Sequence, residues 1–571
     1  MPFVNKKALS LVILIRQTIK SSVLPVTFPT HRSQLWRSLP PGSCNIRIVQ
    51  DEVLNQPPPL SNYNLFSSDL ALREAAMREG AGWACAQLDA FGAALGTAET
   101  IEWGALANEY PPALRTHDRF GRRRDEVEFH PAWHNLMRLA VEQGIHNLPW
   151  ASPRPGSQVA RAALAVLAAE NEAGHMCPIS MTYSAVPVLR QHEAIEREWA
   201  PRIGSTVYDP SFQPASGKHG VLIGMAMTEK QGGSDVRANI TRAEALGGGE
   251  YALHGHKWFC SAPMSDAFLV LAQAPRGLAC FFLPRWKPDG IVNAFHLQRL
   301  KPKLGNRSNA SSEVELDGAW ARIIGDEGRG VATIMEMVQH TRLDCILASA
   351  ALMRRALVEA LHHASYRRAF GRRLIEQPLM RNVLADLSLE SEAATVLAMR
   401  LARAFDENDR GFARLAVAVG KYWVSKRTAA HVAEALECLG GNGFVEECVL
   451  PRLFREAPLN SIWEGSGNVI ALDVLRAIVK EPESLEHVLS EVRLAHDARI
   501  EKFIDGIGSD VAEDGARRIA ERLALALQAS LMIRFSRPAV SDAFCASRLE
   551  GEWGRTFGTL PAVDIDGVLA S

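Results

Sequence analysis

No cysteine pair in this sequence has the spacing of a metal or redox motif. The nine cysteines, Cys44, Cys85, Cys177, Cys260, Cys280, Cys345, Cys438, Cys448 and Cys545, are scattered, with no CxxC and no Cys/His cluster. That argues against a zinc site, and an odd count without framework spacing suits a reducing compartment. Long hydrophobic runs are missing too. The longest early one, Ala8–Ile15, is too short to span a bilayer and ends at Arg16 without a small-residue cleavage site. A secretory signal is therefore not expected, and the cytoplasm is the expected compartment. Net charge is −1, so no overall basic field advertises nucleic acid or an acidic membrane. No GxGxxG follows a strand, which leaves a Rossmann nucleotide site without support. Internal repeats and low-complexity tracts are absent. One absence is local. Residues 1–50 hold Lys6, Lys7, Arg16, Lys20, Arg32, Arg37 and Arg47 but no Asp or Glu, so the remainder carries −8. Such a segment reads as an organelle transit peptide or as sequence upstream of the true start, the latter being favoured. Either way it is expected to lie outside the fold.

What is present is enough chain for several packed units, since 571 residues exceed what one core organises. Residues 70–200 are mostly helical in pattern, with Ala- and Leu-rich stretches such as Val159–Ala173. After the Pro- and Gly-bearing stretch Asp209–Gly220 come short apolar or alternating runs: Gly220–Met227, Tyr251–Cys260, Ala267–Ala272, Leu278–Leu283 and Ser312–Leu316. Turn residues bound each of them, which predicts an antiparallel β unit. Long helices return at Val331–Ala369, Gln377–Asp406, Ala413–Leu439 and Asn468–Val479, followed by a last helical segment over Leu485–Ala539. The expected boundaries are a basic extension over 1–50, a helical domain over 51–218, a β domain over 219–325, a helical bundle over 326–484 and a helical extension over 485–571.

Four segments carry chemistry. In Met225-Ala-Met-Thr-Glu-Lys-Gln-Gly-Gly-Ser-Asp235 a strand feeds a paired-glycine loop whose amides and hydroxyls, Thr228 and Ser234, can approach a ligand. Composition alone equally allows a polar hairpin. His254-Gly-His-Lys-Trp-Phe-Cys-Ser261 could wall a flat ring, or be a strand with one buried aromatic. Glu437-Cys-Leu-Gly-Gly-Asn-Gly-Phe444 fits a helix C-cap and also a backbone that lets an extended cofactor lie close. Asn460-Ser-Ile-Trp-Glu-Gly-Ser-Gly-Asn468 sets a carboxylate beside Trp, where apolar neighbours would raise its pKa toward general-base range; the bland alternative is a solvated loop Glu.

In this order and spacing the four segments resemble the acyl-CoA dehydrogenase family over most of residues 55–480. MTEKQGGSD, GHKWF, LGNRSNAS (Leu304–Ser311), SIWEGSGN, NQPPPLSNYNL (Asn55–Leu65) and REGAGW (Arg78–Trp83) are similar to its AidB-like branch. The resemblance implies a multidomain α + β fold: a helical domain, a central antiparallel β-barrel-like domain, a four-helix C-terminal bundle and an extra helical extension, assembled as a homotetramer. It implies FAD between β domain and bundle, lined by Met225, Met227, Thr228 and Ser234, with Phe259 and Ser261 near the reactive edge. Ser466 and Asn468 would hold it from the loop that carries Glu464, the implied base. Arg367 would reach the pyrophosphate of a neighbouring subunit's FAD, and Gly440, Gly441 and Gly443 would approach the adenosine end. Where some relatives carry the base on a helix before an arginine, this chain has Thr341 before Arg342, so only the loop offers a carboxylate. Glu437 and Pro378 stand where many relatives use Gln.

The implied reaction is α,β-dehydrogenation of a short or branched acyl-CoA thioester, with an acceptor such as electron-transfer flavoprotein. The branch also implies an alternative, a flavoprotein that binds double-stranded DNA during alkylation stress. Residues 486–571 hold ten Lys or Arg against fourteen Asp or Glu, so charge does not support it. Arg517, Arg518 and Arg522, with Arg534 and Arg537 further on, could still form a local stripe.

Overall fold

The computed structural model describes residues 54–507 and 512–570; the basic extension lies outside the described residues. Helix α1 (Ser157–Asn171) is buried over its whole length. Its sequence, SQVARAALAVLAAEN, is rich in Ala, Val and Leu, as a central helix requires, and its few polar side chains are buried with it. Its start is fixed twice. Gly156 lets the chain pass so close to Gly80 that a Cβ would stand 2.0 Å from the Gly80 carbonyl oxygen. The Asp406 carboxylate then accepts from the amides of Gln158 and Val159 at 3.0 and 3.2 Å, satisfying orphan donors of the first turn. Helix α2 (Met176–Leu189) follows and is likewise mostly buried. Ahead of α1 the segment expected to be helical carries a two-stranded hairpin, Ala113–His117 against Arg123–Glu128.

Seven strands form the β region: β1 (Ile223–Ala226), β2 (Arg242–Gly247), β3 (Glu250–Ser261), β4 (Ala267–Ala274), β5 (Gly277–Pro284), β6 (Phe295–Leu300) and β7 (Ser311–Ile324). The order β1-β4-β2-β3-β7-β5 closes through a β4–β5 pairing, with β6 added beside β7, so the sheet is barrel-like. Most ladders are antiparallel, but β1 runs parallel to β4 in the register Ile223↔Ala267, and β2 meets β4 in a parallel bridge. A wholly antiparallel unit was expected; the loop from Met227 to Thr241 carries the chain across the barrel and makes the parallel contact possible.

The bundle is built on α3 (Gly330–Tyr366), α4 (Pro378–Asp406) and α5 (Arg410–Cys438). At 37 residues, α3 is about 55 Å long. Pro378 occupies the first turn of α4, where its missing N–H costs nothing, and the Asp409 carboxylate caps α5 by accepting from Phe412 N at 3.1 Å. Helix α6 (Gly467–Lys480) leaves the Glu464 loop and packs on α5. Beyond it the extension breaks into Pro482–Arg493, Ala498–Ile504, α7 (Ala516–Phe535) and Pro538–Phe544. Helix α7 packs on α4, α5 and α6, so its apolar face shares the main helical core with α1 and the bundle. Among the described residues no helix is long and apolar enough to cross a membrane.

Candidate active site

Glu464 sits in the turn between a short 3-10 segment, Leu459–Ser461, and α6. Its φ is +55° and that of Gly465 is +105°. The left-handed region is costly for a residue with a Cβ, so the surroundings must hold it there. Two cations do so through the backbone. Lys421 of α5 donates from Nζ to the carbonyl of Trp463 at 2.9 Å and to that of Gly465. Arg342 of α3 donates from Nε to the carbonyl of Glu464 at 3.1 Å while its Nη1 bonds Asp473 of α6 at 2.7 Å. Three successive carbonyls are thus pinned. Gly465 has no space for a side chain, since a Cβ would meet Ile470 Cδ1 at 2.8 Å.

The Glu464 carboxylate accepts from the Thr341 hydroxyl at 2.6 Å. Burial raises its pKa above the ordinary 4.5, against the lowering effects of Thr341, Lys421 and Arg342. A base that is harder to ionise than a free carboxyl is better matched to neutral pH. Among the described residues the Glu464 N–H has no hydrogen-bond acceptor, which leaves it free to donate to a developing oxyanion.

Across from this turn stands the end of β3. A register shift between Lys257 and Cys260 interrupts its ladder with β7, and such a bulge re-aims side chains. Phe259 emerges 52% exposed, an unusual position for a Phe on a barrel strand. Ser261 shares its face, two residues on, and lies within hydrogen-bonding reach of the Cys177 thiol on α2, whose burial pushes its pKa up to about 11. Glu464 is among the charges that Cys177 feels, so Ser261, Cys177 and Glu464 lie in one neighbourhood. Lys303, held down to about 8 by burial, donates to the Asn309 carbonyl and to Ser311 Oγ beside it. The Asn309 side-chain amide is buried there as well, beside the Cys177 thiol.

Met225, Met227 and Thr228 continue the wall from β1. The Trp258 amide donates to the Thr228 carbonyl at 2.8 Å, which joins this loop to the bulge. Beneath it the buried Glu229–Lys257 pair, at 2.8 Å, also accepts from the amides of Ile240 and Thr241 and so fixes the loop's base. Gly233 must be glycine, because a Cβ would stand 2.4 Å from Thr228 Oγ1. Among the described residues the hydroxyls of Thr228 and Ser234 have no hydrogen-bond partner, and Ser466, at the N-cap of α6, makes no side-chain cap bond. Partly exposed Met225 and Met227, open Phe259 and three idle hydroxyls fit a planar ring with polar and phosphate groups attached.

The other residues expected at the site gather elsewhere. Arg367 follows the end of α3, 26 positions beyond Thr341, or about 40 Å along the axis. Its Nη1 donates to the Asn55 carbonyl at 2.7 Å. Gly440, Gly441 and Gly443 form the turn after α5, where Asn442 bonds Gln56 at 2.7 Å. Gly440 has φ +59°, and a Cβ on Gly443 would stand 2.2 Å from the Leu436 carbonyl oxygen. Both groups meet the Asn55–Gln56 segment, far from Glu464 in the same chain. Sequence reading missed Cys177, Lys421 and the amide of Asn309. Lys421 alone left a signal: a lysine inside the apolar run LAVAVGKYWV.

Residues 55–210 match the adaptive response protein AidB N-terminal domain, residues 224–319 the acyl-CoA dehydrogenase middle domain and residues 328–479 the acyl-CoA dehydrogenase C-terminal domain. The chain is 48% identical to AidB of Escherichia coli (strain K12) over 88% of its own length and 95% of that protein's. It is 32% identical to acyl-CoA dehydrogenase family member 11 of Caenorhabditis elegans, over 80% of this chain and 75% of that one. The crystal structure of Caenorhabditis elegans ACDH-11 in complex with C11-CoA has a TM-score of 0.78 to it at 27% identity, covering 92% of this chain and 95% of that chain. The chain therefore belongs to the acyl-CoA dehydrogenase family, in its AidB branch, a family of FAD-dependent oxidoreductases acting on CH–CH bonds.

Proposed function

We propose that this flavoprotein dehydrogenates an acyl-CoA thioester at the chamber between β3, α2, α3 and the Glu464 turn. FAD, when bound, supplies the hydride acceptor for the substrate β-carbon. Glu464 takes the α-proton on its carboxylate, so one proton and one hydride leave the substrate and a C=C bond forms. Thr341 orients that carboxylate, and the free Glu464 N–H stabilises the enolate-like thioester oxygen. Met225, Met227, Thr228, Ser234, Phe259, Ser261, Ser466 and Asn468 form the cofactor wall. The observation that carries this reading is Glu464 itself, held in a left-handed turn with its carboxylate on Thr341 and its N–H unspent.

The acyl group is proposed to be short or branched, and a chain running one helical turn past Thr341 would meet a buried ion pair. There Asp344 pairs with both guanidinium nitrogens of buried Arg161, and an apolar chain extending through that pair would have to break it. The C11-CoA seen with ACDH-11 makes chain length the point to test. Anaerobic titration with thioesters from butyryl to dodecanoyl should bleach the flavin fastest at the short or branched end. The Glu464→Gln variant should retain flavin and lose bleaching by about a hundredfold or more; equal rates would remove Glu464 from the reaction.

A homotetramer is supported by the remoteness of Arg367 and of Gly440, Gly441 and Gly443 from Glu464, since only another copy brings them to a flavin. Electron-transfer flavoprotein is the proposed acceptor. Binding of duplex DNA has less support. Arg522 donates to the carbonyls of Phe503 and Asp505, Arg534 pairs with Glu491 at 2.6 Å, and Arg517 bonds Asn468, so the expected stripe is largely engaged within the fold.

A further inference from the structure

The bulge in β3 brings two neighbouring aromatic rings onto one cation. Successive side chains of a regular strand point to opposite faces. Yet the Lys301 ammonium stands 3.7 Å from the Trp258 ring centre and 4.5 Å from that of Phe259. The register shift between Lys257 and Cys260 is what lets both rings meet it. Lys301 is itself fixed from two directions. It follows β6, its amide donates to the Ser311 carbonyl at 2.8 Å, and its Nζ pairs with Glu313 of β7 at 2.7 Å. Glu313 does not serve it alone. Arg299 Nη2 reaches the same carboxylate oxygen at 2.7 Å, so two cations share one anion and the trio keeps one positive charge in excess. The Arg299 side chain is 57% exposed and that of Lys301 only 10%. Solvent therefore screens the arginine, while the lysine acts through protein at lower dielectric.

A residue that merely packed two rings could end in an apolar tip, and packing leaves the excess charge unexplained. An ammonium is drawn to an aromatic face by the ring quadrupole, which gives Lys301 a grip on Phe259 that Met or Leu would lack. Phe259 nevertheless keeps half its surface open, and whatever meets that surface has a buried ammonium as its near neighbour. In the reading of Phe259 as part of the cofactor wall, on which this proposal rests, that neighbour is the flavin. Uptake of electrons adds negative charge there, and a nearby cation favours it. We propose that Lys301 is a positioning residue for the flavin edge, holding Phe259 open through the bulge and raising the reduction potential of the bound cofactor. Glu313 then sets how much of that charge is felt.

The test is the midpoint potential of the FAD-loaded protein, found by equilibrating it with a redox dye of known potential and following both spectra. Lys301→Met keeps a long side chain against the rings and removes the charge. At the wild-type midpoint its reduced-to-oxidised ratio should fall about tenfold, a downward shift of about 30 mV for a two-electron couple. Lys301→Arg should stay near wild type, and Glu313→Gln, which removes the shared anion, should shift the potential upward. If Lys301→Met and Glu313→Gln both keep the wild-type potential, the proposal is overturned. It is overturned equally if Lys301→Met loses flavin while the flavin that remains titrates as in wild type, since the lysine then only packs the rings. Phe259→Ala separates this failure from that of the wall itself. Unchanged flavin content and potential in Phe259→Ala would remove Phe259 from the cofactor wall and the proposal with it. A change in Phe259→Ala beside a wild-type potential in Lys301→Met would keep the wall and refute the electrostatic role.

Discussion

At the scale of single residues, the Thr341 hydroxyl decides how basic Glu464 is. Burial pushes that carboxyl up, and Thr341 is first among the groups that pull it back. In the proposed role Glu464 works only when ionised, so turnover should rise with pH through its titration, which burial places above the ordinary carboxyl value. Thr341→Val keeps the shape and removes the donor. Its acid limb should therefore move to higher pH, with flavin content unchanged, in a pH profile of flavin bleaching under anaerobic single-turnover conditions. A profile that stays put or moves down would mean Thr341 does not tune the base. The Trp-Glu-Gly-Ser-Gly pattern alone also allowed a solvated loop Glu, and it was the order of the four segments, through the family resemblance, that pointed to Glu464. The parts Thr341 and Lys421 play were not readable, since each acts on a turn more than forty positions away; Lys421 left only the trace of a lysine in an apolar run, and Thr341 left none.

The element that makes the site is the turn from Trp463 to Gly465, and three carbonyls clamped by two buried cations explain why it keeps one shape. Lys421 is 1% exposed, and burial lowers its pKa, yet two carbonyls give its protons a home. Lys421→Met removes both bonds and strands the carbonyls, a loss of about 1–3 kcal/mol in stability for each group left unpaired. We expect a lower melting temperature together with a fall in the bleaching rate, because Glu464 is then free to leave its left-handed conformation. A variant that is less stable but bleaches at the wild-type rate would show that the clamp holds the fold and not the geometry. Long helices such as α3 and α4 were readable to within a few residues, since neither has a Pro or Gly after its first residue to break the pattern. The Ala113–Glu128 hairpin was not. Its strands, ALRTH and RRDEVE, are polar and exposed on much of their surface, so they lack the alternation that marks a half-buried strand. The strands β2 and β6 escaped for a similar reason, since β2 carries Arg and Glu among its six residues and β6 carries His, Gln and Arg among its six.

Over the whole molecule, buried charge ties the C-terminal extension to the bundle at more than one place, and the cluster on Asp386 and Glu390 is the most deeply buried. Asp386 of α4 receives Arg548 Nη2 at 2.5 Å, Trp553 Nε1 at 3.1 Å and the Gly558 amide at 2.9 Å. Glu390, one turn on, receives Arg548 and Arg427, each at 3.1 Å. Burial alone would raise the Glu390 pKa, but Arg427 and Arg548 outweigh it and hold the group at about 2. A depressed carboxyl contributes stability that is complete above its unfolded value, near 4.5, and is lost as pH falls toward about 2. The melting temperature of the wild type should therefore drop across that window. Arg548→Met leaves Asp386 buried without its ion pair, at a cost of about 3–5 kcal/mol near neutral pH. The same change lets the Glu390 pKa climb, so the variant should lose less further stability between pH 4.5 and 2 than wild type does. Melting curves at several pH values check both halves at once. A variant as stable as wild type, or one with an unchanged acid slope, would mean that the apolar packing of α7 and the other ion pairs hold the extension on the bundle, and that Arg548 merely follows it there.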